Sequence, residues 1–152
     1  MLNKQELTEL ILKVVPEATF PEGTQLLEAI VPADKILALA EELKTNKETA
    51  YDYLISLTAV DFVKNMTVVY HLDSTKYRQL LVLKVVLTDR ETPSVDSVSS
   101  VWVTAEFHER EVFDLFGIRF NNHPNMKRLF LEDDYGYPLR KDFRDEINII
   151  ER

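Results

Sequence analysis

The sequence predicts an α+β fold in which helices and a β-meander share one domain. Apolar residues recur at helical spacing in two stretches before residue 45 and again after residue 102. Between them, residues 53–87 are rich in β-branched and aromatic side chains and contain three strand candidates separated by short turns. A length of 152 residues is enough for one continuous core but short for two domains.

The first element is a helix that ends before Pro16, with Asn3 as a candidate N-cap. Its apolar residues share one face: Leu7, Leu10, Ile11, Val14 and Val15. After a turn at the sequence PEGT, residues 25–31 are predicted to form a strand that Pro32 closes. Residues 33–44 are predicted to form the second helix.

Three strands are predicted to form an antiparallel meander over residues 53–63, 66–73 and 77–87. Lys64 and Asn65 form the first turn and residues 74–76 the second, because short polar stretches between apolar runs are typical of hairpins. Residues 88–100 combine Pro, Ser, Thr and charged residues without helical spacing. They are therefore predicted to form a loop.

The third helix is predicted over residues 102–116, and Gly117 follows it where a helix C-terminus commonly requires a positive φ. No long periodic element remains beyond Gly117, because Pro124, Gly136 and Pro138 interrupt the chain. Such a segment must lie against a surface that its own domain or another protein provides.

The composition excludes several classes of function. A formal net charge of -8 provides no basic surface for nucleic acid. Without cysteine the chain can form no disulfide, Cys-ligated zinc site or ordinary Cys-ligated iron–sulfur cluster. Its three glycines form no nucleotide-binding motif. No apolar run is long enough to span a membrane, and no signal peptide is recognisable, so we expect any membrane association to be indirect.

His108 and Glu109 raise the possibility of a zinc-protease site, in which two histidines four residues apart bind the metal and the glutamate acts as base. A valine replaces the second histidine, so this pattern fails. The separations between His71, His108 and His123 match no established ligand spacing. A metal-dependent enzyme that uses these histidines with Glu109 or Glu111 stays open as an alternative.

Most charged residues of the third helix are predicted to form a solvent-exposed ladder. Glu106 with Arg110, and Arg110 with Asp114, are pairs four residues apart, which stabilise a helix by about 0.2 to 0.5 kcal/mol each. Glu111 differs, because apolar residues flank it four positions away on both sides. A carboxylate on an apolar edge requires a cation, so we expect Glu111 to anchor the C-terminal segment. The candidate cations are Arg119, Lys127, Arg128, Arg140 and Lys141.

Residues 109–143 closely resemble the signature of one protein family, the 30 kDa or C subunit of respiratory complex I (NADH:quinone oxidoreductase). The stretch reads EREVFDLFGIRFNNHPNMKRLFLEDDYGYPLRKDF. The family pattern runs Glu-Arg-Glu, Asp, an aromatic, Gly, Phe, His-Pro, a basic pair and Gly-x-Pro-Leu-Arg-Lys-Asp. Residues 68–72 and 93–111 also look like the family's strand and its approach to the signature. Met126 and Lys127 depart from the usual Leu and Arg.

The resemblance implies a two-layer fold, with N-terminal helices packed on a mixed, largely antiparallel sheet, then a helix and an extended C-terminal segment. We divide the chain into a globular domain, residues 1–120, and a docking segment, residues 121–152. The resemblance assigns interface or structural roles to Glu109, Arg110, Glu111, Asp114, Phe116, Gly117, Phe120, His123, Pro124, Arg128, Pro138, Leu139, Arg140, Lys141 and Asp142.

The resemblance also implies a structural subunit without catalytic residues or a cofactor of its own. Such a subunit lies in the peripheral arm, on the cytoplasmic side of the inner membrane. It docks chiefly on the large D subunit, next to the quinone site, with the B and I subunits as further partners. It supports electron transfer from NADH to quinone coupled to proton translocation. The alternative is the equivalent subunit of a membrane-bound [NiFe] hydrogenase or of an F420H2- or ferredoxin-linked oxidoreductase.

Overall fold

The computed structural model describes residues 1–145. The elements in chain order are α1 Lys4–Val14, β1 Glu28–Ile30, α2 Ile36–Thr45, β2 Tyr53–Asp61, β3 Met66–Ser74, β4 Gln79–Leu87, β5 Ser94–Asp96, α3 Ala105–Phe116 and β6 Arg119–Asn121. The predicted α+β class is confirmed. Residues 146–152, the end of the predicted docking segment, lie outside the described residues.

Four strands form the main sheet in the order β1-β4-β3-β2. Strands β2, β3 and β4 are antiparallel neighbours, as the predicted meander requires, and Val68 of β3 stands between Ala59 and Val85. Strand β1 runs parallel to β4 and pairs Ala29 with Leu83. The sheet is therefore mixed and largely antiparallel.

One hydrophobic core joins the helices to one face of this sheet. Val68, Tyr70 and Leu72 alternate along β3 and are fully buried, because successive side chains of a strand point to opposite faces. The helices contribute the buried residues Leu7, Ile11, Ile36, Leu39, Leu43, Val112 and Phe116 to the same cluster. The indole N–H of Trp102 donates to the Tyr51 carbonyl at 3.0 Å, which ties the entry to α3 to the entry to β2.

Two helix ends follow the sequence prediction. The Asn3 side chain accepts from the Glu6 amide and the Glu6 carboxylate accepts from the Asn3 amide, forming a capping box. Gly117 ends α3 with φ 75°, in the left-handed region. The other bounds differ by a few residues: β1 is shorter than predicted, and α2 and α3 each begin three residues later.

A second, small sheet is missing from the sequence prediction. Strands β5 and β6 pair in parallel, with Val95 opposite Phe120. The loop predicted over residues 88–100 is therefore wrong where β5 lies. Each of these strands has only three residues, too few for an alternating pattern to be recognised. Within residues 1–145 no helix combines the length and the hydropathy needed to cross a membrane.

Candidate functional site

Three ionisable side chains of α3 point into the protein rather than into solvent. Glu109 and Asp114 are 0% exposed and Arg110 is 9% exposed. The predicted solvent-exposed ladder is therefore wrong for Arg110 and Asp114. The i, i+4 spacing could not reveal this, because the partners of these charges lie far along the chain, in the loop before α3 and in the C-terminal segment.

Asp114 is the anchor of the C-terminal segment. Its Oδ1 accepts from Arg128 Nε at 2.5 Å, and its Oδ2 accepts from the amides of Phe130 at 2.7 Å and Leu131 at 3.2 Å. Burial by itself would raise the pKa of Asp114, but these hydrogen bonds favour the ionised form and lower the pKa below its ordinary value. The carboxylate thus stays charged and fully satisfied inside the protein.

The Arg128 guanidinium lies over the Tyr137 ring next to the C-terminal end of α3. Arg128 donates to the Gly136 carbonyl at 2.5 Å and lies 4.9 Å from the centre of the Tyr137 ring. Arg140 lies 5.4 Å from the same ring. A Cβ on Gly117 would meet the ring at 2.7 Å. Gly117 is therefore required twice, for its positive φ and for the close approach of Tyr137.

The Arg110 side chain binds backbone groups at the start of the C-terminal segment. Its guanidinium donates to the carbonyls of Lys127 at 3.3 Å and Arg128 at 3.1 Å. Because these acceptors are backbone groups, the contact fixes the path of the chain rather than the identity of its side chains. Arg110 thus binds the carbonyls of Lys127 and Arg128. Asp114 binds the amides of Phe130 and Leu131.

Glu109 lies on the opposite side of α3 from solvent and binds the loop that precedes the helix. Its carboxylate accepts from Ser97 Oγ at 2.6 Å and from the Val98 amide at 2.7 Å. Burial raises the pKa of Glu109 to about 7, which outweighs the opposing effect of these two hydrogen bonds. Glu109 is thus the buried carboxylate of the helix whose charge changes near neutral pH.

His123 packs against Glu109 with a fixed tautomer. Its Nδ1 accepts from the Asn125 amide at 2.9 Å, so Nε2 carries the proton and donates to the Glu106 carbonyl at 2.9 Å. Nε2 also lies 3.8 Å from Glu109 Oε2, and both side chains are fully buried. Pro124, the next residue, is exposed.

Glu111 does not anchor the segment. Within residues 1–145 it makes no ion pair, and Arg128 pairs with Asp114 instead. Neighbours on the helix alone do not determine which carboxylate is buried, so the prediction that Glu111 is the anchor is wrong. Glu111 is half-buried and borders a shallow hollow beside Leu115 and Leu139.

The far end of the segment returns to the main sheet. The Leu139 amide donates to the Leu115 carbonyl at 3.0 Å, and Arg140 donates to the Phe116 carbonyl at 2.6 Å. The Lys141 amide then donates to Asp61 Oδ2 at 2.9 Å. Of the other predicted site residues, Phe116 and Phe120 are buried in the core, Pro138 is half-buried and Asp142 is exposed.

One ionic cluster at the end of β2 was not predicted from the sequence. We define this Asp61 cluster as Asp61, Arg90 and Asp142. Asp61 is 3% exposed and forms a two-pronged contact with Arg90 at 2.6 and 3.0 Å. Arg90 also lies 3.6 Å from Asp142. The hydrogen bond from Arg90 is the largest influence on Asp61 and holds its pKa well below the usual range. The one charged residue in the strand β2 was the available signal.

The histidines do not assemble a metal centre in the described part of the chain. His71 lies on β3 with Nδ1 3.2 Å from Ser56 Oγ, whereas His123 lies against α3. Within residues 1–145, no group of three or more His, Cys, Asp or Glu side chains is placed to hold a metal ion. The arrangement around α3 instead fixes a long irregular segment to a helix by charged hydrogen bonds.

Several known proteins are similar to this chain in sequence. The C subunit of the NADH-quinone oxidoreductase of Moorella thermoacetica is 42% identical over 135 residues, which are 87% of this chain and 89% of that protein. The combined C/D subunit of the NADH-quinone oxidoreductase of Phocaeicola vulgatus is 48% identical over 120 residues. That match covers 78% of this chain but only 23% of the C/D protein, so the chain spans about a quarter of such relatives.

Among solved structures, the fold is similar to a chain of the membrane-bound sulfane sulfur reductase, an archaeal respiratory membrane complex. The TM-score is 0.74 at 31% identity, over 94% of this chain and 86% of that one. Residues 29–147 match the family described as "Respiratory-chain NADH dehydrogenase, 30 Kd subunit". This chain therefore belongs to the 30 kDa subunit family of the respiratory-chain NADH dehydrogenase.

Proposed function

We propose that this chain is the C subunit of an NADH:quinone oxidoreductase and acts as a structural subunit of its peripheral arm. In this role it docks on the D subunit, with the B and I subunits as further partners, and has no catalytic residue or cofactor of its own. It supports electron transfer from NADH to quinone coupled to proton translocation. It lies on the cytoplasmic side of the inner membrane and reaches the membrane only through its partners.

The observation that carries this proposal is the existence of relatives with a combined C/D name, which carry a region 48% identical to this chain within a much longer protein. Fusion into one chain keeps two modules at a high effective concentration, and such fusions favour modules that bind each other. The family match over residues 29–147 supports the same assignment.

The geometry around α3 supports a docking role rather than chemistry. The buried charges of Arg110, Asp114 and Arg128 all bind groups of their own chain, so they hold the C-terminal segment in one shape. Holding a surface in its binding shape before association lowers the entropy cost of binding. We propose that the segment and the exposed side of α3 form the contact surface for the D subunit.

Co-purification tests the proposal. A tagged copy expressed in its own organism and extracted in mild detergent should recover the D subunit, together with the flavin and iron–sulfur proteins of the complex. The purified assembly should oxidise NADH with a quinone analogue. Recovery of the tagged chain alone, under conditions in which the complex stays intact, would contradict the proposal.

A second candidate is the equivalent subunit of a respiratory membrane complex with another electron donor. The similarity to the archaeal sulfane sulfur reductase, at 31% identity, favours it. A membrane-bound [NiFe] hydrogenase or an F420H2- or ferredoxin-linked oxidoreductase would use the same docking subunit. The donor that the co-purified complex oxidises separates these cases, because hydrogen, F420H2, ferredoxin and NADH can each be assayed directly.

A metal-dependent enzyme is the remaining alternative from the sequence. Elemental analysis of the purified chain after dialysis decides it. Stoichiometric zinc that is lost in a His123→Ala variant would favour the enzyme over the docking subunit.

A further inference from the structure

The solvent side of α3 carries a stripe of three residues, which we define as Phe107, Glu111 and Leu115. They stand four apart, so they lie above one another on the helix surface. Val103 comes two residues before α3 begins. Val103 is 81% exposed and Phe107 is 60% exposed. Large apolar side chains clustered on a helix surface mark a contact site more often than isolated ones do.

A shallow hollow of about 170 Å³ lies beside this stripe. Strand β2, helix α3 and the C-terminal segment each contribute to its wall. The lining residues are Thr58, Ala59, Glu111, Val112, Leu115, Phe116 and Leu139. Glu111 is the only charged residue among them, so the wall combines five apolar side chains with the Thr58 hydroxyl and one carboxylate. Leu139, on the opposite wall, is 53% exposed.

Two cations, Arg110 and Arg140, are directed elsewhere. Arg110 donates to the Lys127 and Arg128 carbonyls on another side of the helix. Arg140 donates to the Phe116 carbonyl and stacks on Tyr137. Within the described residues Glu111 has no ion pair, whereas the carboxylates of Glu109 and Asp114 accept two and three hydrogen bonds.

We propose that the hollow binds an arginine side chain of the D subunit, with Glu111 as its counterion. This inference rests on the proposed function. The aliphatic part of the arginine lies against Leu115 and Leu139, and the guanidinium lies on the Glu111 carboxylate. Phe107, nearer the start of α3, and Val103, just before the helix, contact apolar side chains of the same partner.

Two physical arguments select this occupant. A half-buried carboxylate that becomes covered by a partner is costly unless the partner brings a cation, so an entirely apolar partner does not fit. Arginine is enriched in the centres of interfaces and lysine is depleted, because the guanidinium binds a carboxylate in two-pronged fashion and is weakly hydrated. The net charge of -8 on this chain adds a general attraction for a basic partner surface.

The test compares Glu111→Gln, Glu111→Lys and Glu111→Leu in the whole complex. Glu41→Gln is the matched control, because Glu41 is an exposed acid of α2, outside the hollow, α3 and the C-terminal segment. Tagged variants compete with untagged wild-type chain during expression, and recovery of the D subunit per tagged chain is measured. We expect Glu111→Gln to lower relative affinity on the order of 30-fold and Glu111→Lys to lower it further, since loss of one partner of an interfacial charge pair is costly. Glu41→Gln should match wild type.

The outcomes separate the inference from the function on which it rests. If the wild-type chain fails to recover the D subunit, the proposed function itself fails. If wild type recovers this partner and Glu111→Lys does so equally well, the arginine site is wrong and the function stands. If Glu111→Leu binds as well as wild type, the occupant is apolar and the inference is overturned.

The isolated chain supplies a further readout. Glu111→Gln and wild type should unfold at the same temperature when no partner is present, because Glu111 then has no counterion to lose. A lower unfolding temperature of Glu111→Gln in isolation would show that Glu111 already pairs within its own chain, which overturns the inference.

Discussion

The Asp114 carboxylate and the Arg128 guanidinium meet at 2.5 Å, although 14 residues separate them in the sequence. Both side chains are nearly or fully buried, at 0% and 7% exposure. The pair connects the last turns of α3 to a stretch that contains no helix or strand between residues 122 and 145. The segment therefore obtains its shape from charged hydrogen bonds rather than from a backbone ladder.

Asp114→Ala should release this segment from α3. Breaking a buried ion pair by removing one partner costs about 3 to 5 kcal/mol, because the other charge loses its counterion. The amide of Leu139, bonded to the Leu115 carbonyl at 3.0 Å, reports opening of the segment. Its hydrogen exchange should accelerate roughly a hundredfold or more, as about 1.4 kcal/mol corresponds to a factor of ten.

Asp133→Ala is the control for this measurement, because Asp133 is an exposed acid of the same segment. Its Leu139 exchange should match wild type. Unchanged exchange in Asp114→Ala would mean that Arg110 and the contacts around Tyr137 hold the segment without the ion pair.

Arg128→Lys should be nearly as harmful as Arg128→Ala. Arg128 uses Nε on Asp114, a terminal nitrogen on the Gly136 carbonyl and its plane above the Tyr137 ring. A lysine keeps the charge but has no planar fork and cannot make all three contacts at once. The same hydrogen-exchange measurement tests this. Wild-type protection in Arg128→Lys would show that charge alone is sufficient.

Because Glu109 is buried, the free energy of unfolding should decrease as the pH rises towards 8. Burial raises its pKa to about 7, against 4.5 for an ordinary glutamate, so the folded protein holds a proton that the unfolded chain has released. This contribution is fully present below about pH 4.5 and is lost as the pH rises through about 7. It amounts to about 3 kcal/mol at roughly 1.4 kcal/mol per pKa unit. Urea unfolding at a series of pH values measures it.

Glu109→Gln should remove this dependence between pH 5 and 8, whereas Glu132→Gln should retain it. Asp114 acts in the opposite sense, because its pKa is lowered in the fold. Its contribution is present above about pH 4 and is lost in more acid solution. A flat profile for wild type between pH 5 and 8 would indicate that burial does not raise the pKa of Glu109 into this range.

Gly117→Ala should destabilise the protein by more than a left-handed alanine normally does. The positive φ of 75° alone costs an alanine about 1 kcal/mol. The new Cβ would also lie 2.7 Å from the Tyr137 ring and displace it. We therefore expect a loss of about 2 kcal/mol or more in the free energy of unfolding, measured with urea.

Gly23→Ala is a matched control, since its φ is 74° and nothing lies within 4 Å of the added Cβ. It should cost only about 1 kcal/mol. In a Tyr137→Ala background, Gly117→Ala should fall to the same value because the ring is absent. Equal losses for Gly117→Ala in both backgrounds would show that the ring contact has no energetic weight.

The main elements could be predicted because each follows from a local pattern. Helical spacing located α1, α2 and α3, and alternation located the meander. The N-cap Asn3 and the helix-ending Gly117 could be recognised from their residue types. The small sheet of β5 and β6 has strands of three residues, and its pairing joins Val95 to Phe120 across 25 residues of sequence. No local pattern carries that information.

The pairing of the charged residues between α3 and the C-terminal segment could not be predicted from the sequence. The resemblance marked Asp114, Arg128 and Arg140 as structural residues, whereas spacing on the helix assigned Arg110 and Asp114 to solvent. Which carboxylate is buried depends on what covers the helix, and the cover of α3 is an irregular segment with no periodicity. The preference for Glu111 failed for this reason, and Asp61 was overlooked because its partner Arg90 lies in a loop.

Truncation after Phe120 should leave the body folded and abolish assembly with the D subunit. Among residues 1–145, the buried hydrophobic side chains all lie at or before Phe120, so the segment adds polar contacts and the partly buried Met126 but no fully buried apolar residue. Far-UV circular dichroism should therefore retain the signal of the three helices and the main sheet, although the cut removes Asn121 from β6. The single tryptophan, Trp102, is 3% exposed and should keep its blue-shifted emission if α3 stays on the sheet. A red-shifted emission with loss of structure would mean that the ionic contacts of α3, rather than the apolar core, limit the stability of the body.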